Sequence, residues 1–168
     1  SKLRSNTNYT KRFVFISENS NLYRYDFSAS GFSNFTNLGS LPFGNNSNHL
    51  KTEMELVDNP SGGYRLAVPA FASGLAVNIF DLDAAGNIIT SSFVSIPVAT
   101  EMKGIEFSPN AQYLYFTCNA SPFIGYIDLN AGVPAPVTLG VANATDFKDS
   151  EIEIAYDNKM YFASDTRF

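Results

Sequence analysis

The sequence has no tryptophan, one cysteine, one histidine and few charged residues. The single cysteine, Cys118, excludes an internal disulfide, and the single histidine, His49, excludes a metal site built on two histidines. Charged residues make up 16% of the chain, against about 25% in ordinary soluble domains. Because amphipathic helices carry charge on their solvent face, this deficit disfavours helix. No apolar run approaches the roughly 20 residues that a membrane-spanning helix needs.

Aromatic and acidic residues are what the chain does contain. It has 15 Phe and 9 Tyr, residues that suit the half-buried surface of a strand. The formal net charge of −5 repels phosphate, so nucleic-acid binding would need a local basic patch. The basic residues Lys2, Arg4, Lys11 and Arg12 are too few and too dispersed among polar neighbours to predict one. We therefore expect no nucleic-acid partner.

A repeat of about 47 to 53 residues runs through the chain. Three kinds of apolar segment recur in one order. The first carries a central glutamate: Met54-Glu55-Leu56, Ile105-Glu106-Phe107 and Ile152-Glu153-Ile154. The second is a dense β segment that begins at Phe13, Leu66, Leu114 and Met160. The third contains an aspartate: Tyr25-Asp26-Phe27, Phe80-Asp81-Leu82 and Ile127-Asp128-Leu129.

This order predicts an all-β fold made of β-propeller blades, each a four-stranded antiparallel sheet. A β-sandwich is the alternative, but a sandwich does not require the same segments in the same order. The segments count to thirteen strands, so we interpret the chain as an incomplete part of a larger propeller. The expected organisation is an N-terminal arm at 1–10, an incomplete first blade at 11–50, a second blade at 51–100, a third at 101–148 and the start of a fourth at 149–168.

Two stretches resemble known propeller repeats. Residues 104–110, with the sequence GIEFSPN, and the following Tyr113-Leu114-Tyr115-Phe116 resemble bacterial WD-like and YVTN-type repeats, although Asn110-Ala111 replaces their usual Asp-Gly. The opening segments 13–17, 21–27 and 36–39 are similar to propeller regions of large Bacteroidota surface proteins exported by type IX secretion. The resemblance covers most of residues 13–164. It implies an extracellular or cell-surface protein whose propeller serves binding, adhesion or display.

Asp26, Asp81 and Asp128 are the most regular polar residues of the repeat. We expect each carboxylate to accept backbone N–H groups from the turn that follows it, as Asp does in Asx-turns. Residues 81–87, with the sequence DLDAAGN, share some features of a calcium loop but lack the third ligand position and the distal glutamate of an EF-hand. We interpret them as a hairpin loop. His49 is expected to be solvated, and Cys118 buried.

Glu55, Glu106 and Glu153 hold equivalent positions in the first strand of their units. In a propeller this strand lies nearest the central axis, so these carboxylates are the candidates for a channel cation site, with Ca²⁺ as a suitable cation. We favour the alternative that they pair with neighbouring groups such as Lys103 or Lys159. No catalytic or cofactor-binding residue, metal ligand or cofactor is assigned.

The sequence therefore predicts a non-catalytic propeller module that mediates protein or glycan contacts, with further blades of a parent chain as its nearest partner. Two alternatives stay open. One is a propeller hydrolase of the lactonase, peptidase or glycosidase type, with carboxylates such as Glu106 as channel acid and base. The other is a structural spacer in a large surface assembly. No membrane span is expected.

Overall fold

Strands provide almost all of the regular structure. The computed structural model describes residues 4–5, 12–18, 21–40, 53–70, 76–89, 92–99, 101–121, 123–139, 144–148 and 150–163. These ranges contain fourteen β-strands, one 3-10 turn at Ala144–Phe147 and no α-helix. No helix in the described ranges is long and apolar enough to cross a membrane. The predicted all-β class, with four-stranded antiparallel sheets, is confirmed.

The strands form three four-stranded antiparallel sheets and a final two-stranded one, each ordered as in the chain. Sheet 1 contains β1 (Arg4–Ser5), β2 (Arg12–Glu18), β3 (Asn21–Ser28) and β4 (Gly31–Ser40). Sheet 2 contains β5 (Glu55–Asp58), β6 (Tyr64–Ala70), β7 (Ala76–Leu82) and β8 (Val94–Pro97). Sheet 3 contains β9 (Met102–Phe107), β10 (Tyr113–Cys118), β11 (Ile124–Asp128) and β12 (Pro136–Thr138). Sheet 4 contains β13 (Glu151–Ile154) and β14 (Met160–Ala163).

Sheet 1 differs from its sequence prediction. Residues 1–10 were expected to form an arm, and the first unit was expected to lack its first strand. Instead Arg4 pairs with Phe13 and Ser5 with Arg12, which adds a two-residue strand at the edge of β2. The first sheet therefore has four strands, and the described residues contain fourteen strands rather than thirteen. A segment this short leaves no period-two pattern in the sequence.

Sheets 1, 2 and 3 stack face to face, so that sheet 2 between the other two buries both faces of its central strand β7. Residues 76–80 of β7 are all buried. One apolar layer lies between sheets 1 and 2 and consists of Phe13, Phe15, Leu22, Leu56, Tyr64, Leu66, Val68, Phe80 and Leu82. A second lies between sheets 2 and 3 and includes Val57, Ala67, Val77, Ile79, Ile96, Ile105, Phe107, Leu114, Phe116 and Ile127. The hydrophobic core is therefore a series of inter-sheet layers.

Sheets 2, 3 and 4 come closest together at their first strands, with β9 beside both β5 and β13. Gly104 permits the approach to sheet 4, since a Cβ there would lie 2.7 Å from the backbone nitrogen of Ile152. Thr117 joins the same two sheets. Its hydroxyl accepts a hydrogen bond from the backbone N–H of Gly104 at 2.9 Å and donates one to the carbonyl of Ser150. The three predicted inner strands thus lie side by side in separate sheets.

Candidate functional site

The three candidate glutamates occupy related positions but different environments. Glu55 is opposite Ala67, Glu106 opposite Tyr115 and Glu153 opposite Tyr161. Because side chains alternate along a strand, each glutamate lies on the face of its sheet that is directed away from the preceding sheet. Glu55 faces sheet 3 and is 1% exposed, whereas Glu106 faces sheet 4 and is 6% exposed. Glu153 lies on the far side of sheet 4 and is exposed.

This placement separates the carboxylates instead of grouping them. Sheet 3 lies between the side chains of Glu55 and Glu106, so the two do not share one site. Within the described ranges, no group of three or more His, Cys, Asp or Glu residues could hold a metal ion. His49 lies outside the described residues. Lys103, the expected partner in sheet 3, forms an ion pair with Glu101 at 2.8 Å.

The three repeat aspartates also share one position in their sheets and face the following sheet. Asp128 accepts a hydrogen bond from the backbone N–H of Asn130 at 3.0 Å, as predicted. For Asp81 the turn prediction is wrong, because its carboxylate binds the guanidinium of Arg65 on the adjacent strand, with an N–O distance of 2.7 Å. Asp26 accepts a hydrogen bond from the side-chain amide of Asn34 at 3.0 Å. The sequence did not reveal the arginine partner, because cross-strand register depends on loop length.

Two arginines link neighbouring sheets, and the sequence analysis missed both. Arg65 of sheet 2 donates to the carbonyl oxygen of Ala111 in sheet 3 at 2.8 Å. Arg24 of sheet 1 donates to the carbonyl oxygen of Ala85 at 2.6 Å and to Oδ1 of Asn87 at 2.7 Å, both in the β7–β8 loop of sheet 2. These contacts hold the stack together at its polar margins.

The loop that shares features with a calcium site is closed by its own hydrogen bonds. Oδ1 of Asp83 accepts the backbone N–H groups of Ala85 at 2.8 Å and of Asn87 at 2.9 Å. Partial burial by itself raises the pKa of Asp83, but the hydrogen bonds from Asn87 and Ala85 outweigh it and hold the pKa below its ordinary value of 3.8. The Asp83 carboxylate therefore has the turn-stabilising role in this hairpin that was expected of Asp81.

We expect Asp83→Ala to lower the free energy of unfolding by roughly 1–2 kcal/mol at pH 7, because two backbone N–H groups lose their acceptor. Since the folded-state pKa is depressed, this stabilisation is present above pH 3.8 and is lost as the pH falls through the folded-state value. Denaturation of both proteins between pH 7 and pH 2 measures the difference. Asp83→Asn, which keeps one accepting oxygen, is the control and should recover part of the loss. A difference that persists unchanged at pH 2 would contradict this role.

An open, mostly apolar cleft of about 340 Å³ lies between sheets 2 and 3. Its walls come from the end of β8 and the residues after it, from the end of β10 and from β12: Pro97, Val98, Ala99, Phe116, Cys118, Pro136 and Thr138. Cys118 is free and 2% exposed, which confirms the expected buried thiol. A cleft of this size and lining is large enough to hold an apolar side chain. Sequence reasoning did not find this cleft, since its walls come from three separate segments.

Comparisons with known proteins assign no family to these features. No protein-family model matches the chain, and no curated protein matches it.

Proposed function

We propose that the chain is a segment of a β-propeller that acts as a non-catalytic binding module, with the cleft between sheets 2 and 3 as its contact point. One observation carries this proposal: successive four-stranded meanders stack face to face and leave an apolar cleft at their margin. Blades that stack radially in chain order are typical of propellers. The close approach of β5, β9 and β13 supports the same arrangement.

The lining of the cleft favours a protein partner over a glycan. Its walls combine an aromatic ring, two prolines and aliphatic groups, with the hydroxyl of Thr138 as a polar group. Apolar pockets with few polar groups bind apolar side chains, whereas a glycan needs many hydrogen-bonding partners. The resemblance of residues 13–27 and 104–116 to propeller repeats of bacterial surface proteins supports a secreted or cell-surface setting. We therefore propose adhesion or assembly through a protein ligand.

A matched pair of tryptophan substitutions on β12 tests the cleft. Thr138 is on its lining, whereas Val137 is the preceding residue and points to the other face of the sheet. We expect Thr138→Trp to fill the cleft and reduce partner binding at least tenfold, because the partner's side chain loses its pocket. Val137→Trp should leave binding within about twofold.

The probe is a panel of immobilised peptides with single aromatic or aliphatic anchors, together with a glycan panel, and binding is measured by interferometry. Peptide binding that Thr138→Trp abolishes and Val137→Trp retains supports the proposal. Binding of glycans alone, or equal loss in both variants, would overturn the assignment of the cleft. Turnover of a lactone, peptide or glycoside substrate by the wild-type chain would overturn the non-catalytic proposal.

A further inference from the structure

One carboxylate in sheet 3 binds an amine and a carboxamide at the same time. The Nζ of Lys103 donates a hydrogen bond to Oε1 of Glu101 at 2.8 Å, and the side-chain Nδ2 of Asn119 donates one to Oε2 of the same residue at 2.8 Å. The two oxygens of a carboxylate are adjacent, so the amine of Lys103 and the carboxamide of Asn119 are held as neighbours. We call these three residues the Lys-Glu-Asn triad.

The pairing of β9 with β10 brings the triad to one face of sheet 3. Met102 is opposite Cys118, and the backbone N–H of Asn119 donates to the carbonyl of Glu101 at 3.2 Å. The side chains of Met102 and Cys118 are buried in the layer between sheets 2 and 3. Because side chains alternate along a strand, Glu101, Lys103 and Asn119 lie on the opposite face. The backbone therefore fixes the positions from which all three side chains extend.

The triad is sheltered from solvent although two of its members are charged. The side chain of Lys103 is 13% exposed and that of Glu101 is 22% exposed. By contrast, the side chain of Lys159, which pairs with Asp157 in sheet 4, is 74% exposed. Lysine is rarely withdrawn from water to this extent unless it is paired. The Lys103 amine is thus partly buried and close to Cγ of Asn119, the carbonyl carbon bonded to the nitrogen that Glu101 holds.

We propose that Lys103 and Asn119 join in an intramolecular isopeptide bond, with Glu101 carrying the protons. Nζ of Lys103 passes a proton to Glu101 and attacks Cγ of Asn119 with the electron pair that this frees. The Nζ–Cγ bond forms, a second proton moves from Nζ to Nδ2 through the carboxyl group, and the Cγ–Nδ2 bond breaks. Ammonia leaves and takes the remaining proton from Glu101. A lysine ammonium and a carboxamide thereby become a secondary amide and an ammonium ion.

The geometry of the triad supplies what this reaction needs. Holding two reacting groups next to each other replaces a bimolecular encounter by a unimolecular step. A positioned carboxyl group that first accepts and then donates a proton provides general acid–base catalysis. The lysine amine is a nucleophile that attacks carbonyl carbon. The step involves no oxidation or reduction and consumes no second reagent.

The product is a covalent link between the beginning of β9 and the end of β10. With one cysteine the chain forms no internal disulfide, whereas an amide link needs no cysteine and does not depend on the redox state of its surroundings. The link forms once in each chain and turns over no substrate. The inference is therefore independent of the proposed binding role and of the cleft.

Intact mass spectrometry of the full chain, purified at neutral pH and then denatured, tests for the bond. We expect a mass below that of the sequence by one ammonia, about 17 Da. Glu101→Gln, which cannot carry the proton, and Lys103→Arg, which keeps the charge but lacks the amine, should each show the full mass of their sequence. Lys159→Arg is the matched control, because Asp157 accepts from the Tyr161 hydroxyl instead of a carboxamide, and it should lose ammonia as the wild type does.

Peptide mapping locates the bond and separates it from ring closure of an asparagine onto its own backbone, which also releases ammonia. Trypsin should no longer cleave after Lys103. Chymotrypsin, which cuts at the aromatic residues between the two positions, should leave one branched peptide that contains both Lys103 and Asn119. Circular dichroism establishes that each variant is folded, and Lys103→Arg provides the test if Glu101→Gln does not fold.

The expected result is a loss of ammonia that maps to the branched peptide and is absent from the folded Lys103→Arg chain. A wild-type chain that keeps the full mass of its sequence would overturn the proposal. A loss that persists in Lys103→Arg, or that maps to a ring within one asparagine, would overturn it as well.

Discussion

Replacing Phe107 by alanine is expected to lower the free energy of unfolding by about 3 to 5 kcal/mol. Phe107 is 1% exposed and lies in the layer between sheets 2 and 3. Neighbouring sheets are already in contact there, so they cannot close over the space that the ring leaves. The loss therefore combines the transfer free energy of the ring with the cost of a residual cavity.

Denaturant unfolding followed by fluorescence and by circular dichroism measures this effect. Because the ring belongs to a layer shared by two sheets, the unfolding midpoints measured by the two signals should fall by the same amount. The control is Tyr156→Ala, at a fully exposed position in the turn of sheet 4, with an expected change within about 0.5 kcal/mol. A loss below about 1 kcal/mol in Phe107→Ala would show that the packing between sheets 2 and 3 contributes little to stability.

Much of the sheet structure was accessible from the sequence because strands have a period of two. In the pattern Ile105-Glu106-Phe107, alternation puts the two apolar side chains on one face of the strand and the glutamate on the other, and the structure places them so. The same pattern in sheets 2 and 4 located their first strands. Alternation assigns each side chain to one of the two faces of its own strand, and this assignment depends only on the local sequence.

The sequence did not predict the environment that each face of a strand meets. Glu55 and Glu153 each lie in a first strand between two apolar residues, yet one is buried and the other exposed. The difference arises because sheet 3 covers the face of sheet 2, whereas the face of sheet 4 that carries Glu153 meets no further sheet in the described part of the chain. The lengths of the loops decide which side chains of neighbouring sheets come into contact, and the period-two pattern contains no information about this. The cleft between sheets 2 and 3 escaped prediction for the same reason.

The arginine links were missed for a related reason, although a signal was present. Arg24 and Asp26 are two residues apart, so alternation places both on one face of β3 together with the buried Leu22. An arginine on a buried face requires partners for its donors. That requirement could have identified Arg24 as an inter-sheet contact, without specifying which loop it reaches.

Substitution of Arg24 by methionine should therefore cost about 3 to 5 kcal/mol of stability, as breaking a buried ion pair does. The guanidinium is 5.3 Å from the ring centre of Phe13, and its Nε lies 3.5 Å from Oδ1 of Asp26, close enough for an ion pair but not aligned as a hydrogen bond. Methionine preserves much of the packing volume but leaves the carboxylate of Asp26 without this cation. It also removes the donors to Ala85 and Asn87, which join sheet 1 to sheet 2.

A double-mutant cycle with Asp26→Asn separates the ion pair from the link between the sheets. In the Asp26→Asn background a neutral amide replaces the carboxylate, so Arg24→Met no longer removes the cation from a buried anion. The loss of stability caused by Arg24→Met should therefore be about 1 to 3 kcal/mol smaller in that background. The remaining cost belongs to the bonds to the sheet 2 loop. Arg12→Met, at an exposed position on the adjacent strand, is the matched control and should change stability by less than about 0.5 kcal/mol. If Arg24→Met lowers the free energy of unfolding no more than this control does, the contacts of the guanidinium with the sheet 2 loop do not stabilise the packing of sheet 1 on sheet 2.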